Sequence, residues 1–382
     1  MCDKITSMNI LIVGAGPAGV VSALAIKKAH PNYDVTILEH LEEPLKKVLA
    51  TGNGKCNLGN AKLDWKRFSH YDFVSKHIYN YSFDGYREYL NSLNIRTKLI
   101  DNLLYPISES AITVREALLF EAERLGIRFK LGESISSYSL KDNFYEVKTN
   151  KSNLKVDKII FSTGSKSSPQ LGSDGSIYSL LSSHGYKIAE LKPGLCPIHT
   201  VEKTRVLDGI RVKANVTLLK NGKKVHEEAG EVLFKDKGLS GIVIFNMMSE
   251  ISRKGDGEYK LLIDLLPEFD VKTLQNLHKN QSNGEFLRGF VHPKMLKYFL
   301  ENGYDTEPIR YLKDLPFTFD SPYGFEFSHV TVGGVELSEI KDNFESRKEP
   351  GVYFLGEVLD IDGPCGGYNL TWIFHSARNF NF

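Results

Sequence analysis

The apolar positions follow two periods that alternate along the first two hundred residues. Asn9 to Val13 is apolar after its first residue, too short for a helix and closed by Gly14, which predicts a buried strand. Val20 to Ala29 follows a helical period, and Val35 to Leu38 is a second short apolar run ending at Glu39. Strand, glycine turn, helix, strand is the order of a βαβ unit with parallel strands. Thr113, with Glu116 three residues on, reads as a capping box opening a helix that carries Val114, Leu118 and Leu125 and stops at Gly126. Ile127–Leu131, Ser134–Leu140, Phe144–Thr149 and Lys155–Phe161 read as successive strands, with a turn at Lys141-Asp142-Asn143. A helix over Ser176–His184 is stopped by Gly185.

Beyond Lys192-Pro193-Gly194 the pattern becomes mostly strand. Arg211–Leu219 alternates, Asn221-Gly222 marks a tight hairpin into Lys223–His226, and Tyr259–Leu265 is another strand. From Asp270 to Lys313 the period is helical, with Pro293 at a start and Gly303 at a stop. Val330–Val335 and the apolar run Gly351–Leu355 return to the first style. The expected organisation is an α/β chain with a discontinuous nucleotide-binding domain, residues 1–192 and 324–382. An inserted β-rich domain (193–269 and 314–323) and a small helical domain (270–313) complete it.

The first turn, Gly14-Ala15-Gly16-Pro17-Ala18-Gly19, carries chemistry because its glycines stand at three different tasks. Gly14 permits the tight turn, Gly16 lets backbone approach a pyrophosphate, and Gly19 lets helix and strand pack closely. The helix start then offers unpaired N–H groups to phosphate oxygens. Glu39 follows Gly19 by about 20 residues, the spacing of an acid that holds a ribose. Its charge disfavours a 2′-phosphate, so FAD or NAD is expected here rather than NADP.

With 41% hydrophobic residues, 25% charged residues and a formal net charge of +1, the composition fits a soluble globular chain and excludes a broad basic surface for nucleic acid. Cys2, Cys56, Cys196 and Cys365 form neither a disulfide framework nor a zinc spacing, which points to a reducing cytoplasm. The first apolar run is too short for a signal peptide or membrane span. Met1–Ser7 reads as a dispensable arm, with Met8 an equally good start. No repeat, nucleic-acid module, Ser/His/Asp triad or metal cluster emerges, and oligomeric state is left open.

Six stretches, in order, resemble the YhiN/BaiN/RdsA-type flavoproteins: Gly14–Gly19, Lys46–Asn57, Ser162–Gly175, Gly230–Gly241, Val330–Val335 and Gly356–Trp372. The resemblance implies a glutathione-reductase-like, Rossmann-type FAD-binding domain, roofed over the flavin by a β-rich insertion and a small helical domain. It implies noncovalent FAD and an NAD(P)/FAD-dependent oxidoreductase with a small-molecule substrate; with a single nucleotide fingerprint in the sequence, NAD(P)H either binds transiently as electron donor or does not bind at all. Carried over residue by residue, the cofactor-binding positions are Gly14, Gly16, Pro17, Ala18, Gly19, Glu39, His40, Lys47, Gly52, Asn53, Gly54, Lys55, Cys56, Asn57, Ile135, Thr163 and Gly164. Near the C-terminus they are Gly356, Glu357, Asp362, Gly363, Gly366, Gly367, Tyr368 and Asn369. This sequence departs from the family in having Lys55 where arginine is common, and in ending soon after the helix that starts near Asn369. The second departure argues for weaker docking of that helix.

One βαβ unit spans only the adenosine and pyrophosphate of FAD, so other segments must receive the rest. Gly52–Lys55 offers close backbone plus a cation, Thr163-Gly164 a second crossing, and Gly356-Glu357 a place for the ribityl chain. Gly366–Asn369 opens a helix whose positive end suits the N1/O2 edge of a flavin. Tyr368, Cys365 and Cys56 are the candidate catalytic side chains, each weighed against plain packing. Trp372 reads as packing, His375 as a surface or cap residue, and Asp360 and Asp362 as loop-fixing acids. The expected activity is hydride exchange between flavin N5 and a small organic substrate. The alternatives are an oxidase of small amines that makes hydrogen peroxide and a non-catalytic flavin redox sensor.

Overall fold

The computed structural model describes residues 7–380 and 382, so Cys2 and all of the expected N-terminal arm but Ser7 lie outside the described residues. The chain divides into two compact units, one running up to Lys192 and resuming over Val330–Phe382, the other Pro193–His329.

The first unit is built on five parallel strands. They are Asn9–Val13 (β1), Asp34–Leu38 (β2), Arg128–Lys130 (β3), Lys158–Phe161 (β4) and Val352–Phe354 (β5). Their spatial order is β5-β4-β1-β2-β3, and the register sets Val13 beside both Leu38 and Phe161, and Phe161 beside Phe354. Parallel strands covered on both sides are apolar throughout. Accordingly Ile10, Leu11, Ile12, Ile159, Ile160 and Phe354 are all fully or nearly fully buried. Pro17–Ala29 (α1) follows β1, and Ala111–Arg124 (α2) and Tyr368–Arg378 (α3) pack on it. The last helix is anchored firmly, contrary to the expected weaker docking, since Trp372, Phe374, His375 and Ala377 are buried.

Because all five strands point the same way, the segments leaving β1, β2, β4 and β5 emerge along one edge. The chain goes from β1 to β2 on one side and later returns to β4 on the other. Such a reversal opens a crevice at the carboxyl ends of the strands, where ligands of open α/β sheets bind.

Two segments of this unit differ from what their sequence predicts. Lys155–Phe161 is not one strand: Asp157 breaks it, its carboxylate accepting from Asn9 N at 2.6 Å and its own N–H donating to Asn9 O at 2.7 Å. The piece before it, Asn153–Val156, joins an antiparallel three-stranded sheet with Ile135–Lys141 and Phe144–Thr149. The capping box at Thr113 does not form, since the helix already begins at Ala111 after Ser110. A true capping box, Ser282 with Glu285, opens a short helix in the other unit.

In the second unit, Ile198–Thr200, Gly238–Ser240, Lys223–Lys235, Arg211–Lys220, Tyr259–Asp264 and Leu315–Pro322 close into an antiparallel barrel in that order. The Asn221-Gly222 hairpin is present, but its second strand runs on to Lys235. Inward positions alternate: Ala214, Val216 and Leu218 meet Leu261, Ile263, Val232 and Phe234. Ile242–Lys254, within a stretch expected to be mostly strand, is a helix. Its Val243, Ile244, Met247, Met248 and Ile251 recur at helical spacing on the buried side, and this packing overrides a β-branched start. The helices of 271–313 add Leu274, Phe286, Phe299 and Leu312 to the same core.

Phe317 is fully buried between Phe234 and Tyr298, with ring centroids at 5.8 and 6.2 Å. Phe317→Ala is expected to cost about 3–5 kcal/mol. Urea unfolding followed by tyrosine fluorescence checks this, and a loss below about 1 kcal/mol would contradict the packing described.

Candidate functional site

The glycines at the sheet edge differ in what surrounds them. Gly14 has φ +104°, and a Cβ there would lie 2.6 Å from Ser162 O and 2.8 Å from Thr163 Cα, so β1 and β4 leave the sheet in backbone contact. Gly19 is equally constrained, against Gly14 O and the Ser162 hydroxyl. Gly16 is not: its φ is −74°, and a Cβ at that position would meet nothing nearer than Ser162 O at 3.9 Å. Nothing inside the chain requires glycine there. The position leaves room at the start of α1, whose first helical residue is Pro17.

Glu39 is tied to this turn. Its Oε2 accepts from Ala15 N at 2.7 Å and its Oε1 from Leu41 N at 3.0 Å, and His40 Nδ1 lies 3.7 Å from Oε1. The strand that carries Ile135 begins just after Glu133, whose N–H donates to Glu39 O at 2.9 Å. Gly356, which follows β5, stands directly over α1, since a Cβ on it would be 2.7 Å from Ala18 Cβ. The two glycine-rich ends of the sequence are therefore neighbours.

The other site segments gather on this same edge. Lys47 Nζ reaches Ser167 Oγ at 2.6 Å and Glu357 Oε2 at 3.0 Å. Glu357 Oε1 in turn accepts from Ser167 Oγ at 3.0 Å and Thr331 N at 3.2 Å. Thr163 and Gly164 follow β4, and Gly164 (φ +70°) backs onto Ser173. Gly52, Asn53, Gly54 and Cys56 all have positive φ, so Thr51–Asn57 is a tightly wound turn. A Cβ at Gly54 would meet nothing nearer than Leu49 O at 3.9 Å. Ser167 and Thr331 were not anticipated as supports for Glu357; the only sequence signal was their place in the small polar run after β4 and in the Val330–Val335 stretch.

The Gly363–Asn369 loop is braced internally. Asn369 turns its side chain onto Gly363, receiving from its N–H at 2.8 Å and donating to its carbonyl at 2.9 Å. Asn60 Nδ2 donates to Gly366 O at 3.1 Å, and the Asn57 amide, oriented to satisfy both ends, spans Gly59 O and Gly367 N. Gly367 sits against the backbone of Gly59, whereas Gly366 (φ +109°) opens toward Asn60 Nδ2 and Leu103 Cδ2 at 3.8 and 4.0 Å. Asp362 is buried, its backbone pinned on both sides by Ser69. Asp360 accepts from Gly333 N and faces His70 Nε2, both at 3.0 Å, and so holds the loop as expected.

The candidate catalytic side chains fare differently. Cys56 is fully buried, and burial pushes its thiol up to about 11, so it carries no thiolate at neutral pH. Cys365 is half-buried. Tyr368 is 4% exposed, packs on Phe68 and accepts from Asp64 N at 3.2 Å, which is a packing role. Lys55 does not stand free for an oxygen of a ligand: its ammonium pairs with Glu109 at 2.7 Å, and Lys98 reaches the same carboxylate at 2.6 Å. These two lysines hold the Glu109 carboxyl down to about 2. His375 is neither at the surface nor a cap; it is 1% exposed, its Nε2 donating to His77 O at 2.9 Å and its Nδ1 accepting from Asn379 Nδ2 at 3.2 Å. Among the described residues no group of three or more His, Cys, Asp or Glu could hold a metal ion.

Fold and turn together define a Rossmann-type α/β protein of the glutathione-reductase kind, with a nucleotide turn at the crevice edge. The chain belongs to the HI0933-like family, whose "HI0933-like protein Rossmann domain" model matches residues 8–380. It is 31% identical, over 95% of this chain and 96% of the relative, to the 3-dehydro-bile acid delta(4,6)-reductase of Clostridium scindens. It is 29% identical, over 97% and 96%, to the ribosomal RNA dihydrouridine synthase of Escherichia coli. Among solved structures it resembles a variant of the Escherichia coli quinol fumarate reductase FrdA (TM-score 0.52, 14% identity, 98% of this chain and 69% of that one). It also resembles a flavocytochrome c3 fumarate reductase (TM-score 0.50, 15% identity, 97% and 77%). These last two likenesses are of fold. No helix among the described residues is long and apolar enough to cross a membrane.

His375 gives a pH test. Burial, reinforced by the Arg378 charge, lowers its pKa from 6.5 to about 4 although the His77 carbonyl works the other way. The folded imidazole is neutral where the unfolded one takes a proton, so its contribution is present above pH 6.5 and is lost as pH falls from there to about 4. The loss is on the order of 3 kcal/mol. Urea unfolding at pH 7 and pH 4.5 is expected to show that much less pH dependence in His375→Gln than in the parent; equal slopes would contradict the assignment.

Proposed function

We propose that this chain is an oxidoreductase holding noncovalent FAD at the sheet edge and reducing a polarised carbon–carbon double bond in a small organic substrate. Gly16 carries the reading: it is the turn glycine that no internal contact or backbone angle requires, at a helix start beside an acid fixed by the turn. Space of that kind is what close approach of a pyrophosphate demands. The positions that remain open at Gly54 and Gly366 extend it toward the far end of a long cofactor.

In this reading Gly14–Gly19 hold the pyrophosphate and Glu39, with lone pairs left after its two backbone bonds, the adenosine ribose. Gly356 and the Lys47-supported Glu357 hold the ribityl chain. The first turn of α3 faces the ring edge that becomes negative on reduction. Bound FAD supplies hydride chemistry; the chain positions it and sets the surrounding field. NAD(P)H is proposed as the electron donor, and with no second nucleotide fingerprint in the sequence it would bind only transiently.

The names of the two relatives support the choice of reaction, since one is a reductase and the other a dihydrouridine synthase, and both names describe saturation of a double bond. A small molecule is preferred to RNA on charge. The formal net charge of the chain is +1, and Pro193–His329 has equal numbers of basic and acidic side chains.

Protein loaded with FAD is expected to bleach anaerobically with NADH or NADPH and to recover colour with 2-cyclohexenone. Recovery with ribosomal RNA but not with enones would move the substrate to RNA. Colour lost on adding small amines and regained only in air, with hydrogen peroxide formed, would mark an oxidase; bleaching with no acceptor turnover would mark a sensor. Protein that stays colourless after reconstitution would end the FAD reading.

Gly16→Ala separates a ligand cradle from a packing turn. It is expected to weaken FAD binding by roughly tenfold or more while leaving the melting temperature of the FAD-free protein unchanged. Gly14→Ala, at positive φ and against backbone, is expected to lower that melting temperature as well.

A further inference from the structure

Saturating a polarised double bond needs hydride at one carbon and a proton at the other, and a positioned side chain delivers that proton better than water does. We propose that Tyr105 is the proton donor of the reaction, its hydroxyl serving the carbon beside the substrate's carbonyl. This rests on the function proposed above.

In Leu103–Pro106 the residues alternate half-buried and buried, so Leu103 and Tyr105 share the accessible face. Leu103 Cδ2 lies beside the opening at Gly366, and Tyr105 Cε1 lies 3.6 Å from the Cβ position of Gly52. One strand face thus runs from the glycine loop before α3 to the glycine turn after Thr51, the two segments assigned to the flavin end of the cofactor. Tyr105 is the ring on that face.

The Tyr105 hydroxyl is also available, with no hydrogen-bond partner among the described residues. Its neighbours are occupied: Tyr86 donates to Leu58 O at 2.8 Å, and Tyr368 accepts from Asp64 N. Cys56 is sealed in the core, and the Lys55 ammonium is engaged by Glu109.

The local charges suit the role. Lys98 is paired with Tyr105 across the hairpin, and Lys98 and Lys55 converge on Glu109, leaving one net positive charge beside the phenol. Partial burial raises the Tyr105 pKa above its ordinary value, Lys55 opposes that shift and Glu109 adds to it. The phenol therefore keeps its proton at neutral pH, while the cations steady the phenolate left after transfer. The step balances. The substrate carbon far from the carbonyl gains hydride, two electrons and one proton, from flavin previously reduced by a nicotinamide. The carbon beside the carbonyl gains the Tyr105 proton, and the phenolate is reprotonated from solvent water.

The test compares the parent with Tyr105→Phe, which keeps the ring and leaves no cavity. Both are loaded with FAD, reduced anaerobically with dithionite and mixed with 2-cyclohexenone or 1-nitrocyclohexene. A nitroalkene that accepts hydride becomes a nitronate, which persists without a proton. Flavin reoxidation by the enone is expected to slow roughly tenfold or more in the variant. With the nitroalkene it is expected to stay within about twofold, the nitronate accumulating only in the variant. Independently of turnover, an ultraviolet pH titration of FAD-free protein is expected to lose one phenol titrating above the ordinary tyrosine value. Equal enone rates, or equal slowing with both probes, would overturn the Tyr105 assignment and leave the FAD reading standing. Parent protein that binds no FAD, or that neither probe reoxidises, would overturn both.

Discussion

The parallel pairing of β5 to β4 and of β4 to β1 is the constraint on which everything else depends. It fastens residues 352–354, 158–161 and 9–13 side by side and pointing one way. Segments separated by more than three hundred residues then leave the sheet together. Gly14 meets Ser162 backbone to backbone, and Gly356 meets Ala18, only because those strands end at the same height. A one-residue slip in either pairing would displace the strand ends along the sheet by about 3.3 Å and pull these turns apart.

Glycines at that edge divide by what surrounds them. Gly14, Gly19 and Gly367 are pressed by backbone and belong to the architecture; Gly16 faces open space, which is why the proposed cofactor site is centred on it. The same division runs through the polar side chains. Asn369 braces Gly363, and Lys55 pairs with Glu109, so two residues expected at a cofactor make contacts within the chain. Lys47 does something similar for Glu357, which would otherwise be a partly buried carboxylate without a counter-charge. Such supporting bonds keep a site rigid before a ligand arrives, which is a larger part of binding than the number of contacts suggests.

Much of this was legible in residue order. The β1 turn, α1, β2 and Glu39 are local, and each is set by neighbours within a few positions, so the βαβ unit could be read directly. The Asn221-Gly222 hairpin was legible for the same reason. The failures share a cause. Asp157 breaks a continuous apolar run by bonding to Asn9, about 150 residues away, and Ile242–Lys254 becomes a helix because its apolar face has a barrel to cover. Cys56 and His375 looked like chemistry or surface, but both titrate as they do because of burial, and burial is a sum over distant segments.

By itself, then, the sequence determined the βαβ unit, the glycine-and-acid fingerprint, the return to the same style near the C-terminus, and an even balance of charge. Those are properties of short windows and of totals. Tertiary structure alone decided that the C-terminal glycines stand over α1, that Gly16 is open while Gly14 is not, and that Tyr105 lies on one face with Gly52 and Gly366. Each depends on which strands pair and in what register, and pairing becomes favourable only when the whole sheet closes.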